Sequence, residues 1–457
     1  MAVEIRGRVY TYFPLAHGET ISVPVRGPVE FEAIARLRFG ESDGPADVEL
    51  EISVDGAPPW RQVFRARPGD AVYPEIPGAR AGAANRLNFY LPSGPHTVRM
   101  TLASPSGGVL DLNLLSKAPD ELPWMLGWRL EMGSSYDTNV FRYSDSDVDD
   151  FLDGARAGRY GMNSVDDLRL EPSAEFSLIR ERPGARTTTV SFSSDWRLAA
   201  SNGEKSFAKL GVGMRELREG VAYLEVEYSA IPSYHLRLLW DTDAEGGAGE
   251  YRSCDFRKHA FGVELGSDGS LPVDLSVGMK VETYAYDPDF TEYDSVAKTV
   301  AARATVRPAR GVRVDLGYAL RGLVAAGSDE PGETRATSDD SDTTYEQDRY
   351  TLRVRWEAGK WWGRRAVLIA TAGHSRRYYL ASRVESDPYH AGREDKYWSG
   401  GGRLRLELSD AAGLEGFYQY RSRTAESPLV EDLGELKDYG AHRLGLLVYL
   451  EGGQFLD

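Results

Sequence analysis

Residues 126–141, LGWRLEMGSSYDTNVF, change character one residue at a time. Leu126, Trp128, Leu130, Met132, Tyr136 and Val140 are apolar or aromatic, while Arg129, Glu131, Ser135, Asp137 and Asn139 between them are polar or charged. Successive side chains of a strand point to opposite faces, so this pattern predicts one long strand with a greasy and a wet side. It is far longer than the about 5–6 residues of an ordinary strand. A tilted membrane-crossing strand, with lipid on one face and a polar lumen on the other, has this length and this alternation.

The pattern recurs to the end of the chain. Segment 168–178 sets Leu168, Leu170, Ala174, Phe176 and Leu178 against Arg169, Glu171, Ser173 and Glu175. Segment 312–321 sets Val312, Val314, Leu316, Tyr318 and Leu320 against Arg313, Asp315 and Arg321. The same holds over 188–198, 206–215, 222–240, 271–286, 348–356, 403–408, 414–423 and 440–450, and less cleanly over 252–265, 295–306 and 364–380. In 252–265 a bulge between Phe256 and His259 would account for the slip. With the opening strand the count is 14. An even number is expected of a closed antiparallel barrel whose chain enters and leaves on one side. The connections alternate too. Tight turns such as Ser267-Asp268-Gly269 and Arg182-Pro183-Gly184 oppose long, mostly acidic loops at 143–163, 242–250, 287–294, 327–346, 383–395 and 425–438, with only Ser201–Lys205 short. Short periplasmic turns opposite long external loops are the expected asymmetry of such barrels.

Composition agrees. Mean hydropathy is -0.42, and no run approaches the about 18 apolar residues of a transmembrane helix. Alternation hides a membrane strand from that measure. The formal charge of -16 argues against a nucleic-acid partner, whose footprint is basic. The single cysteine, Cys254, forms no internal disulfide and reads as a buried thiol. Met1-Ala2-Val3 leads directly into Glu4 and Arg6, so a signal peptide is absent from this sequence, and an exported barrel is expected to have shed one. A soluble sheet also alternates, but does not need strands of this length or a wet face dense in both Arg and Glu.

Residues 1–118 differ. Short strand-like pieces recur at Glu4–Tyr12, Thr20–Val25, Val29–Phe39, Asp47–Val54, Arg61–Ala66, Arg86–Leu91, His96–Leu102 and Val109–Leu114, separated by turns such as Asp55-Gly56 and Pro92-Ser93-Gly94-Pro95. They predict a jelly-roll-like antiparallel sandwich. Its closing run LPSGPHTVRMTL is similar to the last hairpin of β-sandwich accessory domains, some of which bind sugar; Trp60, Tyr73 and His96 would be the stacking residues. The expected organisation is therefore all-β: sandwich 1–118, linker 119–123 and barrel 124–457.

Over residues 124–457 the chain resembles the bacterial outer-membrane β-barrel family. The run Tyr136-Asp137-Thr138-Asn139-Val140-Phe141 is similar to the signature of first barrel strands in several of its members. Such barrels usually end on an aromatic residue read by the assembly machinery, whereas this chain ends Gln454-Phe455-Leu456-Asp457. The resemblance implies an outer-membrane location with the sandwich in the periplasm, contact with lipid and lipopolysaccharide, and a periplasmic protein as a partner for residues 1–118.

Charges of both signs fall on the wet face: Arg129, Glu131, Arg169, Glu171, Asp195, Arg197, Arg313, Asp315, Arg353, Arg355, Arg405 and Arg421. Opposed rows across a bore would orient polar solutes and set selectivity; paired, they would fill it. The leading reading is a charge-lined channel for a polar solute or polymer, with the sandwich docking partners or gating. The alternatives are a non-conducting structural or assembly scaffold and a soluble carbohydrate-binding protein. Asp145, Asp147, Asp149, Asp150 and Asp153 in one external loop, and Asp329, Glu330, Glu333, Asp339, Asp340 and Asp342 in another, offer oxygen ligands for Ca2+. No enzyme is expected: the adjacent His374 and Ser375 point to opposite faces of a strand, and His235 with Ser233 lacks an evident orienting acid.

Overall fold

The computed structural model describes residues 2–5, 8–40, 43–117, 124–156, 158–182, 186–241, 249–269, 272–329, 332–338, 340–409 and 411–455. The expected linker, 119–123, lies outside them. The chain forms two compact units, one of residues 1–123 with 181–186, the other of the remainder.

The first unit is all strand: β1 (Ala2–Ile5), β2 (Arg8–Thr11), β3 (Phe13–Ala16), β4 (Thr20–Phe39), β5 (Ala46–Val54), β6 (Trp60–Ala66), β7 (Pro68–Val72), β8 (Arg80–Gly82), β9 (Asn85–Ser104) and β10 (Val109–Lys117). Two pairs of expected strands are each one 20-residue strand, β4 and β9. The proline-rich run 92–95, expected as a turn, instead stays in the ladder, because its interruption falls opposite the one in β4: Gly27 pairs with Gly94, and the register slips between Gly27 and Val29. A Cβ on Gly27 would stand 1.7 Å from the carbonyl oxygen of Pro92, so only glycine fits this crossing. β4 pairs β8, β9 and β10, and the order runs β2-β1-β7-β8-β4-β9-β5-β6. Phe31, Leu37, Leu50, Ile52, Met100, Leu102, Leu110 and Leu112 fill the core between the faces. Asp111, fully buried, accepts from Arg38 at 2.8 Å and from the Tyr73 hydroxyl. Tyr73 is therefore a core residue that no sugar reaches, and His96 ties β9 to the turn after β5, with Nδ1 2.7 Å from Asp55 and Nε2 2.8 Å from the Pro92 carbonyl. Trp60 remains exposed, edge-on to Phe89.

The second unit is a closed antiparallel barrel of 14 strands. They are β11 (Met125–Asp137), β12 (Asp167–Arg182), β13 (Arg186–Ala199), β14 (Phe207–Arg218), β15 (Ala222–Asp241), β16 (Glu250–Ser267), β17 (Val273–Tyr286), β18 (Ser295–Ala309), β19 (Val312–Ala325), β20 (Tyr345–Trp361), β21 (Arg364–Tyr379), β22 (Glu394–Ser409), β23 (Ala412–Glu426) and β24 (Tyr439–Phe455). Each pairs with its neighbours in sequence, and β11 closes the ring by pairing along its whole length with both β12 and β24. The expected faces hold. Leu130, Met132, Leu170, Phe192, Met214, Val277, Met279, Leu316, Leu352, Leu446 and Val448 all stand exposed on the outer wall. Trp128 and Trp356 lie toward the end of the short turns, and Trp196, Trp240 and Trp398 toward the end of the long loops.

One local expectation is corrected. The irregularity near 256–259 belongs to the partner strand, where β15 carries extra residues between Ile231 and Tyr234 and between His235 and Arg237. Pro232 has no N–H to give the ladder, so β15 bulges while β16 runs on.

Two outcomes follow from this packing. Leu446→Arg, on the outer wall, is expected to cost about 2–4 kcal/mol of folding stability in lipid vesicles, read by urea unfolding. Asp111→Ala strands Arg38 and Tyr73 and is expected to cost on the order of 3 kcal/mol, read as lost amide-exchange protection in β4 and β10.

Candidate functional site

The wet faces of the 14 strands meet inside the barrel, and charge divides between its two ends. Toward the short turns the charges are matched. Arg129 bridges Glu131 at 2.6 Å and Glu451 at 2.7 Å, and lies over the ring of Tyr449. Arg403 and Arg405 converge on Glu415, each at 2.9 Å, and Glu415 is fully enclosed by them. Arg313 bridges Asp315 at 2.9 Å, and Arg215 bridges Glu225 at 3.6 Å. A cavity of about 580 Å³ here is lined by Glu225, Glu227, Glu264, Asp268 and Asp274 and by Arg215, Lys280, Arg303, Arg307 and Arg313. Acids and bases balance in number. Of the expected selectivity residues at this end, Arg353 and Arg355 have no carboxylate bridge among the described residues.

Toward the long loops the balance fails. Arg169 reaches Asp137 only at 3.5 Å, while Asp137 holds Arg142 at 2.8 Å. Glu171 takes Arg443. Arg421 lies in the combined field of Arg142, Arg443 and Arg197. Neither Arg197 nor Arg421 has a carboxylate bridge among the described residues; Arg197 rests over the ring of Phe207 instead.

The loops build the rest. Residues 138–166 fold back over the barrel mouth, where Phe141, Tyr143, Val140 and Met162 form a small buried core. The Phe141 carbonyl accepts from Arg237 at 3.4 Å, whose guanidinium lies 4.9 Å from the Tyr143 ring centre. Lys205, in the short loop before β14, donates to the carbonyls of His235 at 2.9 Å and Leu236 at 2.6 Å, and sits over Phe141. Burial, then repulsion from Arg237, Arg169 and Arg142, lowers its pKa to about 7. A second lysine, Lys437, closes the helix α2 (Leu433–Lys437) in the last long loop; burial, then Arg393, Arg237 and Arg423, lowers it to about 8.

Below these loops lies a chamber of about 370 Å³. Its walls carry the cations Arg237, Arg321, Arg377, Arg393, Arg423 and Lys437 and the phenols Tyr284, Tyr286, Tyr293, Tyr345 and Tyr379, with no carboxylate among the described lining residues. Two cations are neutralised from behind, Arg321 by Glu282 and Arg393 by Asp395 at 2.7 Å. The others are held by neutral groups: Arg377 lies 4.1 Å from the Tyr345 ring centre, and Arg423 donates to the Lys437 carbonyl at 2.7 Å. Fixed, partly dehydrated guanidinium groups among aromatic rings make a site for an anion that also offers a flat or ring-shaped surface.

The two-residue period puts Arg321, and Arg237 in segment 222–240, on the wet face but does not place them in a site, and it gives no sign of Arg377, Arg393, Arg423 and Lys437. The legible signal was the pair Tyr284 and Tyr286, tyrosines following Lys280 and Glu282 on a wet face. The five aspartates expected as one metal site are not brought together. They lie in or just after a helix, α1 (Asp145–Leu152), capped by Ser144, where alternate residues diverge around the axis. Asp147 and Asp150 are paired with Arg159 at 2.6 Å and Arg156 at 3.3 Å. His235 does have an orienting acid, Asp255 at 2.7 Å, and Ser253 at 3.0 Å, but both meet the same ring nitrogen, Nδ1. A relay from hydroxyl to acid needs them on opposite nitrogens.

No family model matches the chain, and no curated protein matches it. Among solved structures, the chain is similar to a bacterial polysaccharide outer membrane secretin (8% identity, 71% of this chain and 98% of that one, TM-score 0.36). It is likewise similar to the outer membrane channel DcaP of Acinetobacter baumannii (12% identity, 72% and 97%, TM-score 0.38) and an anion-selective porin from Comamonas acidovorans (8% identity, 72% and 99%, TM-score 0.34).

Proposed function

We propose that this chain is an outer-membrane channel that admits a small anionic solute with a ring or other flat surface. The observation that carries this reading is the chamber in which six cations and five tyrosines converge with no carboxylate among the described lining residues. The apolar outer wall and its two tryptophan girdles support the membrane location. The chain enters and leaves the barrel at the short-turn end, which supports a periplasmic position for residues 1–118 and a role there in docking a protein partner or gating. The balanced end of the bore would hold the barrel shape, and the cationic end would select. The scaffold reading draws on one observation, the inward fold of residues 138–166.

Liposome swelling separates the two. Vesicles containing the protein are expected to admit glucuronate faster than glucose, a neutral sugar of nearly equal size. Arg377→Glu with Arg423→Glu should remove or reverse that preference without stopping glucose. Equal rates for both sugars would contradict the selective chamber, and no swelling with either would leave the scaffold. The preference should also fall with pH. Lys205 and Lys437 carry charge below their pKa values of about 7 and about 8 and lose it above them. Two cationic charges therefore leave the mouth between pH 6 and pH 9, and the glucuronate-to-glucose ratio should decline across that window.

A further inference from the structure

The charges of the cavity at the short-turn end balance in number but not in place. β15 and β16 set Glu225 directly opposite Glu264, and Glu227 opposite Gly262, on the lumen face. Like charges directly opposed on neighbouring strands destabilise a sheet. β17 then sets Gly278 beside Glu264 and Lys280 beside Gly262, and β18 sets Ala301 beside Gly278 and Arg303 beside Ser276. The cavity of about 580 Å³ therefore has Glu225, Glu227 and Glu264 along one wall and Arg303 and Arg307 along the other. Between them lies a floor of small residues, Gly262, Gly278, Ser276 and Ala301, with Lys280 at one end. β16 and β18 are two strand spacings apart, about 10 Å.

At the edges of the cavity the charges are closely engaged. Arg307 bridges Asp274 at 2.5 Å, Arg313 bridges Asp315 at 2.9 Å, and Asp268 accepts from the Gly220 N–H at 2.7 Å. Around the floor they are not. Arg303 stands 3.7 Å from Glu264, and Arg215, behind the acidic wall, stands 3.6 Å from Glu225. Lys280 stands 3.8 Å from Glu282. Separations of this length are not hydrogen bonds. Glu264 also accepts from the Tyr223 hydroxyl at 2.5 Å. Glu227 has no ion-pair or hydrogen-bond partner among the described residues. It lies across Gly262, where an added Cβ would stand 3.0 Å from its Cγ. The groups that face each other over the floor thus keep polar atoms free for a guest.

We propose that this cavity is a second subsite of the bore, for a solute that carries an ammonium group as well as a carboxylate. The ammonium lies against Glu227 and Glu225, and the carboxylate reaches Arg303 and Lys280. The small floor residues leave room for the atoms between. An ammonium has three donors, which neighbouring carboxylates accept, and a guanidinium holds a carboxylate by its fork. The inference rests on the reading of the bore as a channel for anionic solutes, and it narrows that class. The solute is negative overall, so that the cationic chamber gathers it, and it bears an amine that this wall holds. The chamber alone favours whichever solute has more negative charge; the two sites in series favour the acidic amino acid.

The test is liposome swelling at pH 7 with glutamate and with glutarate, which lacks the α-ammonium group. Glutarate is the more negative of the two, so the chamber alone passes it faster. With the subsite, glutamate is expected to enter about threefold faster, the scale of one exposed ion pair. Glu227→Gln should abolish that lead. Glu175→Gln removes the same charge from the lumen face of β12 and should keep it. The proposal is overturned by glutarate entering as fast as glutamate, by a lead that survives Glu227→Gln, or by one that Glu175→Gln also abolishes. In the wild-type vesicles the glucuronate-to-glucose ratio reports the chamber separately. A kept glucuronate preference without a glutamate lead strikes this subsite alone, and a glutamate lead beside equal glucuronate and glucose rates strikes the chamber alone. Vesicles that admit none of the four solutes would overturn both.

Discussion

Closure of the backbone hydrogen-bond ladder is the constraint on which everything else rests. A strand in hydrocarbon has no water to satisfy its amides, so every edge must find a neighbour. β11 solves this by bonding β12 on one side and β24, more than 300 residues later, on the other. Once the ring is closed, the period of two assigns every strand side chain to the outer wall or to the lumen, and a single-residue slip would put the charged set on the apolar wall. That cost explains why the alternation is kept so strictly over the central part of each strand.

Closure also concentrates charge. The lumen receives the Arg, Lys, Asp and Glu that the apolar outer wall does not hold. At the short-turn end the chain answers with pairs and forks, as where Arg403 and Arg405 share Glu415. At the long-loop end it leaves cations in excess and lodges them against phenol rings and backbone carbonyls, as with Arg377 and Arg423. Cation–π contact and carbonyl acceptance stabilise a guanidinium without cancelling its charge. A chain with a formal charge of -16 thus keeps one positive chamber, whose described lining carries six cations and no carboxylate.

Much of this was legible from residue order. The barrel, its 14 strands and the assignment of Arg129, Arg169, Arg313 and Arg405 to the wet face all follow from a two-residue period. What the period does not carry is which strands become neighbours when the ring closes. Arg129 finds Glu451 on the adjacent last strand, and Arg443 finds Glu171 one strand further on, pairings that only ring closure creates. The chamber was hidden for a related reason. Arg393 and Lys437 sit in loops, and which loops turn inward depends on small cores such as Phe141 with Tyr143 rather than on any strand pattern. The aspartates at 145–153 misled because alternate residues converge on an extended chain but spread apart on a helix, and Ser144 caps one there. In the sandwich, Pro92-Ser93-Gly94-Pro95 misled because two chain interruptions placed opposite each other let both strands continue.

The central claim is that the cationic chamber governs what passes along the bore. The most direct measurement is the reversal potential of single channels in a planar bilayer under a KCl gradient, for the full chain and for Arg377→Glu. The account predicts ohmic steps with a reversal potential on the chloride side, shifting toward potassium in the variant. Steps that are cation-selective, or a reversal potential that the variant leaves unchanged, would contradict it.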